Sequence, residues 1–584
     1  MLKVNGIVRI SEIMMFKSIS DDLNISKNDL FYLFILTVFS ILITYTLINF
    51  NQVLGIYCSD VFIYLSNSLV FAGYQASVLY LYLSPVICIL TAILFKLGFL
   101  SEASLYLVTG VFCIFANIGI YVLLKNKFSS LLSFCGAFLF GSFSLTLLWW
   151  ANGTLDVPAV ALSIWTIIFT ILAVDKDSKY YMIAIPLFVL AVFTRYTALF
   201  LLPLILLYYL SKHDFFTNLD LFIMNRQEFS KKLKSYIKND EFRNILKACA
   251  IAFVLLLLFS ATILAYGSSL SFLTQSSTFA SGSKGEVIDN AYTTDTFFYL
   301  HDFPNFLYSD YVSFDNVIPV LNGSNPMSFF LIGLFAIGIL YFGYKLINAK
   351  KKEESKYKYH VGILFIVLLA ISILYFKINS LITITIILID LVILFSFFRK
   401  IGIDRELYST DILMLAWLLV YFIFFTFLNI KVNRYIITAF PAFIYFVIYA
   451  LNEISDLSKR FKFFELKKQN LLNIIPIILI VFCIFSAFTF TSTVHYNEDF
   501  NKNKVIADYL TEYDSDYMSK DVAVFHQRSY NWFLKKYTIP ITDDQLDYLE
   551  SSNITYYISD DNFNLSNYTI IYQKEGLYLY ERIN

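Results

Sequence analysis

The 584-residue chain is 58% hydrophobic and only 15% charged, against roughly a quarter charged in ordinary soluble domains, which excludes a water-soluble globule. Its 44 basic and 44 acidic residues cancel, so there is no global field to recruit nucleic acid, and charge is informative only by position. The 61 Phe and 43 Tyr suit lipid-facing and interfacial sites, and the composition points to a polytopic membrane protein with about thirteen crossings.

Residues 1–30 are polar, carry Lys3, Arg9, Lys17 and Lys27, and lack a short apolar core with a cleavage site, so the first span is expected to be an uncleaved anchor. Apolar runs long enough to cross follow at 31–50, 103–124, 129–149, 157–174, 248–267, 327–347, 359–376, 380–398, 411–429, 436–452 and 471–492. The run from Tyr180 to Leu210 is too long for one crossing and is split at Arg195 and Tyr196 into two. The segment 76–96 is apolar but contains Pro85, and its crossing or not fixes the orientation of everything after it. If it does not cross, the basic loops Lys125–Lys127, Asp175–Lys179, Lys212–Lys247, Lys350–Lys358, Arg399–Arg405 and Lys459–Lys468 all fall on the cytoplasmic side, as short loops prefer. The expectation is therefore that 76–96 is embedded, within an external loop 51–102, with a second long external loop at 268–326.

The tail from 493 to 584 is of another kind. A helical stretch at Lys504–Tyr513 and strand-like runs at Asp521–Phe525, Ile554–Ile558, Thr569–Tyr572 and Leu577–Tyr580 predict a small external α/β domain. The division expected is thus a cytoplasmic segment 1–30, a transmembrane domain 31–492 and an external domain 493–584.

Residues able to carry chemistry cluster at the external ends of the spans. The segment GIYCSDVFIYLSNSLVFAG (55–73) predicts an interfacial helix with Asp60, Tyr64 and Asn67 on one face and Phe62, Leu65 and Leu69 on another. The plainer alternative is that Ser59 or Asp60 only caps that helix. A second acid, Asp156 in ANGTLDVP, suits a helix start as well, but two acids at the mouths of separate spans on one face are costly to bury unless they serve a site. Arg195 in FTRYTALFLLP, and Lys431 and Arg434 in KVNRYIITAFP, break the positive-inside pattern. Snorkelling explains an isolated cation such as Lys377. Two Arg-Tyr pairs, Arg195-Tyr196 and Arg434-Tyr435, point instead to an anion between them, and a phosphate matches the guanidinium fork. Carboxylates, arginines and a cavity open to lipid suit sugar transfer from a polyprenyl-phosphate donor. Phosphate leaves without a general acid once its charge is stabilised, so one carboxylate to deprotonate the acceptor hydroxyl suffices.

These motifs in succession resemble the GT-C membrane glycosyltransferases, particularly the branch of dolichyl-phosphate-mannose protein mannosyltransferases and the lipid A aminoarabinose transferase. The similarity runs through Asp60, Tyr64, Leu65 and Gly73, YLYLSPVICILTAILFKLG (80–98), LDVPA (155–159), TRYTALFLLP (194–203) and RYIITAFP (434–441), over roughly residues 30–452. It implies a GT-C fold, Asp60 as general base of an inverting transfer, Asp156 as a supporting acid, and Arg195, Arg434 and Tyr435 near the donor phosphate. Tyr64, Asn67, Tyr196 and His301 are expected to line the cavity, with His301 and Asp302 in a loop that covers it. The first acid is followed by Val61 and no WWDYG motif is present, so no divalent metal is expected. The histidines (His213, His301, His360, His495, His526) and cysteines (Cys58, Cys88, Cys113, Cys135, Cys249, Cys483) show no metal-ligand spacing. The expected partners are a polyprenyl-phosphate-linked sugar, membrane lipid and a glycan, lipid or protein acceptor, with a multi-pass plasma-membrane location and the site and tail extracytoplasmic. The alternative function is a transporter or flippase of lipid-linked sugars, favoured by Asp390 inside the span 380–398 but not by any repeat.

Overall fold

A computed structural model of the chain describes residues 20–74, 83–212, 237–266, 295–314, 319–348, 380–428, 431–460, 468–495 and 502–583, less 84 and 401, with scattered positions inside 230–235 and 363–374. Helix α1 (Lys27–Leu54) opens on a capping box in which Ser26 and Asp29 satisfy each other's backbone N–H, and stops at Gly55 with φ 88°. Its 28 residues rise about 42 Å, more than a bilayer core. Helices α2 (Ser59–Ala72) and α3 (Pro85–Lys96) follow, and Gly73, at φ 93°, ends α2 in the left-handed conformation that a side chain would strain. With 14 and 12 residues they rise only about 21 and 18 Å, too short for a bilayer core. Of the apolar run that set the orientation, Pro85–Lys96 forms a helix, and residues 75–82 before it lie outside the described residues.

The bundle continues through α4 (Glu102–Lys125), α5 (Ser130–Ser142), α7 (Asp156–Asp175), α8 (Tyr181–Thr194), α9 (Leu201–Lys212) and α10 (Asp240–Ala265), with α6 (Ser144–Leu148) a single turn. The run 129–149 is not one helix, because Phe143 is extended at ψ 132° between α5 and α6. Serines on either side hold the break. Ser142 Oγ lies 2.8 Å from Tyr308 Oη, and Ser144 Oγ accepts from Ser309 N at 2.9 Å. The run 180–210 divides where expected. Arg195 is extended (φ −154°, ψ 124°), a 3₁₀ turn covers Tyr196–Phe200, and Pro203 sits in the first turn of α9, where its missing N–H costs nothing.

Helices α11 (Pro326–Ile347), α12 (Ser380–Lys400), α13 (Ser409–Phe427), α14 (Phe440–Arg460) and α15 (Lys468–Thr489) complete the membrane part. Among the described residues nine helices are long and apolar enough to cross and five shorter ones are apolar, and the expected span 359–376 lies mostly outside them. The basic loops that are described, 125–127, 175–179 and 399–405, meet at one end of the bundle. Arg405 pairs with Asp175 at 2.6 Å, Arg399 Nη1 donates to Ser211 O at 3.3 Å, and Lys127 pairs with Asp411. Asp60, Asp156, Arg195 and Arg434 lie at the other end, since Asp156 opens α7 and Asp175 closes it.

The tail holds α16 (Lys502–Tyr513), α17 (Gln527–Phe533) and five strands, β4 (Val522–Val524), β5 (Ile539–Pro540), β6 (Tyr556–Ser559), β7 (Tyr568–Lys574) and β8 (Leu577–Arg582), in the order β5-β4-β6-β8-β7. Strand β4 is parallel to β5 and β6, and β6 is antiparallel to β8. All four strand-like runs read from the sequence become strands of this sheet. A second, three-stranded sheet, β2-β1-β3, joins β1 (Ser309–Ser313) and β2 (Val320–Ser324) to β3 (Val494–His495), where the chain leaves α15.

Candidate active site

Asp60 does not cap its helix. The cap position is Cys58, no side chain bonds the free N–H groups, and the Asp60 carboxylate turns to Arg434, with Oδ2 2.5 Å from Nη2. Asp156, at the first position of α7, also makes no capping bond. It is fully buried and pairs with Nη1 of Arg195 through one oxygen, while Arg434 Nε lies 3.5 Å from the other. Arg434 thus bridges two acids that come from helices almost a hundred residues apart in the chain.

Backbone shape places each member. The loop between α6 and α7 turns tightly at Gly153, at φ 87°, where an added Cβ would stand 2.9 Å from Val61, so glycine lets the Asp156 loop settle on α2. Asn152 holds that loop by donating to Tyr57 Oη at 2.7 Å, and Tyr57 donates to Leu148 O at 2.8 Å. Arg434 and Tyr435 lie in a 3₁₀ stretch, Asn433–Ala439, ahead of α14, with Trp417 Nε1 donating to Thr438 O at 2.8 Å. Trp149 Nε1 donates to Asn433 Oδ1 at 3.1 Å, and its ring lies 5.3 Å under the Arg434 guanidinium. The Tyr435 ring takes Arg195 at 4.6 Å in the same way. Aromatic faces orient both cations without consuming their hydrogen-bond donors.

Five of the predicted residues therefore converge: Asp60, Asp156, Arg195, Arg434 and Tyr435. Tyr64 and Asn67 continue the Asp60 face of α2 and are buried, and Tyr196 is half-buried beside Arg195. His301 does not join them. It is exposed, with Nδ1 2.9 Å from Asp295 Oδ2, whereas Tyr299 of the same loop is buried and donates to Val432 O at 2.9 Å. Two further residues complete the arrangement. Cys58 Sγ accepts from Arg434 Nη1 at 3.1 Å, and burial raises the thiol's pKa. Arg528, from α17 in the tail, brings Nη1 to 3.4 Å from Ser59 Oγ.

Asp60 is half-buried, with about a third of its side chain exposed (35%), so it alone of the two acids meets an incoming group. Burial pushes its carboxyl up, but the guanidiniums of Arg434, Arg528 and Arg195 outweigh burial and hold it below its ordinary value. Asp60, Asp156, Arg195 and Arg434 together carry no net charge. Among the described residues no group of three or more His, Cys, Asp or Glu is placed to hold a metal ion.

Residues 83–220 match the family described as dolichyl-phosphate-mannose-protein mannosyltransferase. The fold is similar to that of ArnT from Cupriavidus metallidurans bound to undecaprenyl phosphate, with a TM-score of 0.56 at 8% identity over 94% of this chain and 97% of the other. It is also similar to the archaeal oligosaccharyltransferase AglB from Archaeoglobus fulgidus in complex with an inhibitory peptide and a dolichol-phosphate, with a TM-score of 0.52 at 11% identity over 92% of this chain and 70% of the other. No curated protein matches the sequence. The chain has the GT-C fold, and its resemblance to the GT-C membrane glycosyltransferases is borne out by the family match and by both structures.

Proposed function

We propose that this protein transfers a sugar from a polyprenyl-phosphate donor to an acceptor hydroxyl at the extracytoplasmic membrane face, with inversion and with Asp60 as the single base. The observation that carries the reading is the pairing of two acids with two arginines at the end of the bundle opposite the basic loops. That opposition supports an extracytoplasmic site, because short basic loops stay in the cytoplasm. The resting cluster is paired by charge, with both Asp156 oxygens and Arg434 Nε lacking a hydrogen bond among the described residues, and a donor phosphate entering it competes with the carboxylates for the arginines. Each guanidinium has five donors in a planar fork, which suits two phosphate oxygens better than one carboxylate oxygen. As Arg434 turns to the phosphate, Asp60 loses its closest cation and becomes a stronger base towards the acceptor. The same arginines then stabilise the phosphate as it departs. Asp156, fully buried, keeps Arg195 and Arg434 aimed at one place and takes no proton from substrate.

The test is transfer in proteoliposomes supplied with a polyprenyl-phosphate sugar. Asp60→Asn is expected to remain folded and to lose transfer, and undiminished product from that variant would remove Asp60 as the base. Movement of the lipid-linked sugar across the bilayer with no glycosyl product would favour the transporter reading, which Asp390, buried within α12, otherwise supports alone.

A further inference from the structure

Resting on the reading above, we infer that Arg528, carried by the tail rather than by the membrane bundle, is a binding residue for the donor phosphate, so that the tail is part of the active site. Charge makes the case. The two acids and two arginines cancel, which leaves the membrane part of the site with orientation for a phosphate but no surplus charge to attract one. Arg528 supplies that surplus. It is exposed, it lies over the mouth of the cluster beside Ser59, and among the described residues no carboxylate comes within ion-pair distance of it.

Its position is fixed from both sides. On the bundle side, Trp532 Nε1 donates to Glu102 Oε1 at 2.6 Å, and its ring stacks on Phe95 with centroids 5.7 Å apart. Phe533 meets Phe62 edge-on at 5.5 Å. On the tail side, Tyr530 is buried against the sheet and donates to Asn503 Oδ1 at 3.3 Å, and Gln527 Nε2 donates to Thr538 O at 2.6 Å. A helix clamped this way fixes the backbone from which Arg528 reaches Ser59, so its charge is carried next to Asp60. A phosphate seated between Arg434 and Arg528 lies against Asp60, where the acceptor hydroxyl must arrive.

The experiment uses the full chain in nanodiscs of neutral lipid, with undecaprenyl phosphate as the probe and undecaprenol as its uncharged control. The wild-type chain is expected to prefer the phosphate, and Arg528→Ala to weaken that binding about tenfold with undecaprenol unaffected, whereas Arg528→Lys retains most of it. Trp532→Ala, which releases the clamp while leaving Arg528 unsubstituted, is expected to weaken phosphate binding as well. Equal binding by wild type and Arg528→Ala would overturn the inference and leave the donor reading standing. No preference for undecaprenyl phosphate over undecaprenol in the wild type would overturn both. Displacement of the probe by equimolar inorganic phosphate or phosphatidylglycerol would identify a general anion site and overturn the assignment to the donor.

Discussion

At the Lys127 end of the bundle, Asp411 is fully buried, pairs with Lys127 and accepts from Tyr445 Oη at 2.5 Å. Asp29, equally buried, accepts from Tyr121 Oη at 2.5 Å, from Ser26 N at 2.7 Å, and has Lys125 3.8 Å away. At the Asp60 end, the acids meet arginines set over aromatic rings, and one acid is open to solvent. Both ends carry the desolvation cost of buried ions, which is repaid only when hydrogen bonds are complete. The first is held by tyrosine hydroxyls and lysine point charges, with Asp411 Oδ2 left without a hydrogen bond among the described residues. At the second, Arg434 Nε and both Asp156 oxygens likewise lack a hydrogen bond although they are paired by charge, and a ligand can engage the guanidinium donors that the acids leave unused. The contrast separates charge that holds the helices together from charge that, on the proposed function, receives a substrate.

Equivalent amide substitutions at the two ends give the strongest test. Asp60→Asn is expected to lower transfer by about 10²–10⁴-fold, the usual contribution of a positioned base, with a nearly unchanged melting temperature. Asp411→Asn keeps an amide oxygen for Tyr445 and Lys127 but removes the charge that balances the buried ammonium, and is expected to destabilise by on the order of 3 kcal/mol, with transfer per folded molecule retained. Thermal unfolding and transfer measured on both variants would break the comparison if the two phenotypes were exchanged. Arg434→Lys is a smaller perturbation. It keeps one charge but gives up the fork that spans Asp60 and Asp156, and a roughly tenfold rise in donor KM is expected, beyond any change in kcat.

Acid titration sharpens the same point. Because the folded-state pKa of Asp60 is lowered, its carboxylate stays ionised until the pH falls below the ordinary range near about 4. Any stability it contributes is present above the unfolded-state value and is lost as the pH falls through the folded one. The acid limb of kcat/KM, which reports the free enzyme in which Arg434 still faces Asp60, is therefore expected below about pH 4, and Arg434→Gln is expected to move it upward. A limb that stays in place in that variant would show that Arg434 does not set the basicity of Asp60.

Much of this arrangement was legible in the sequence, for a physical reason. An acid or arginine at the end of an apolar run stands out, and the lysine-rich loops fix which ends lie together, so Asp60, Asp156, Arg195 and Arg434 emerge as one set. What hydropathy cannot see is pairing across the chain. Trp149 and Cys58 read as ordinary apolar residues, and only the fold brings them under and beside Arg434. Arg528 lies in a tail of mixed charge where one more cation carries no signal. The break at Phe143 was hidden for a related reason, since it depends on Tyr308 and Ser309 from a distant loop. His301 misled because a histidine beside aromatics in a covering loop looks like a ligand, while Tyr299, two residues earlier, is the one that packs inward.

The mildest effect concerns how the open end is closed by the tail. Lys535, just past α17, lies over the Trp532 ring, and burial pushes its pKa down to about 7. Glu102 and Asp508 draw it upward and Lys504 opposes them, but Glu102 already accepts from the Trp532 indole and does not neutralise the ammonium by contact. Lys127 at the other end is paired with Asp411 directly. Between pH about 7 and about 10 the unfolded chain keeps a proton on Lys535 that the folded chain has released, so folding of the tail gains stability as the pH rises through that window. The tail's melting temperature is accordingly expected to climb from pH 7 to pH 9 in the wild type. Lys535→Met is expected to flatten that slope and to raise the pH 7 value, because it fills the same space without a charge to desolvate. An unchanged slope in Lys535→Met would mean that the lysine keeps its charge in the docked state, as Lys127 does, and the two ends would then differ only in their acids and arginines.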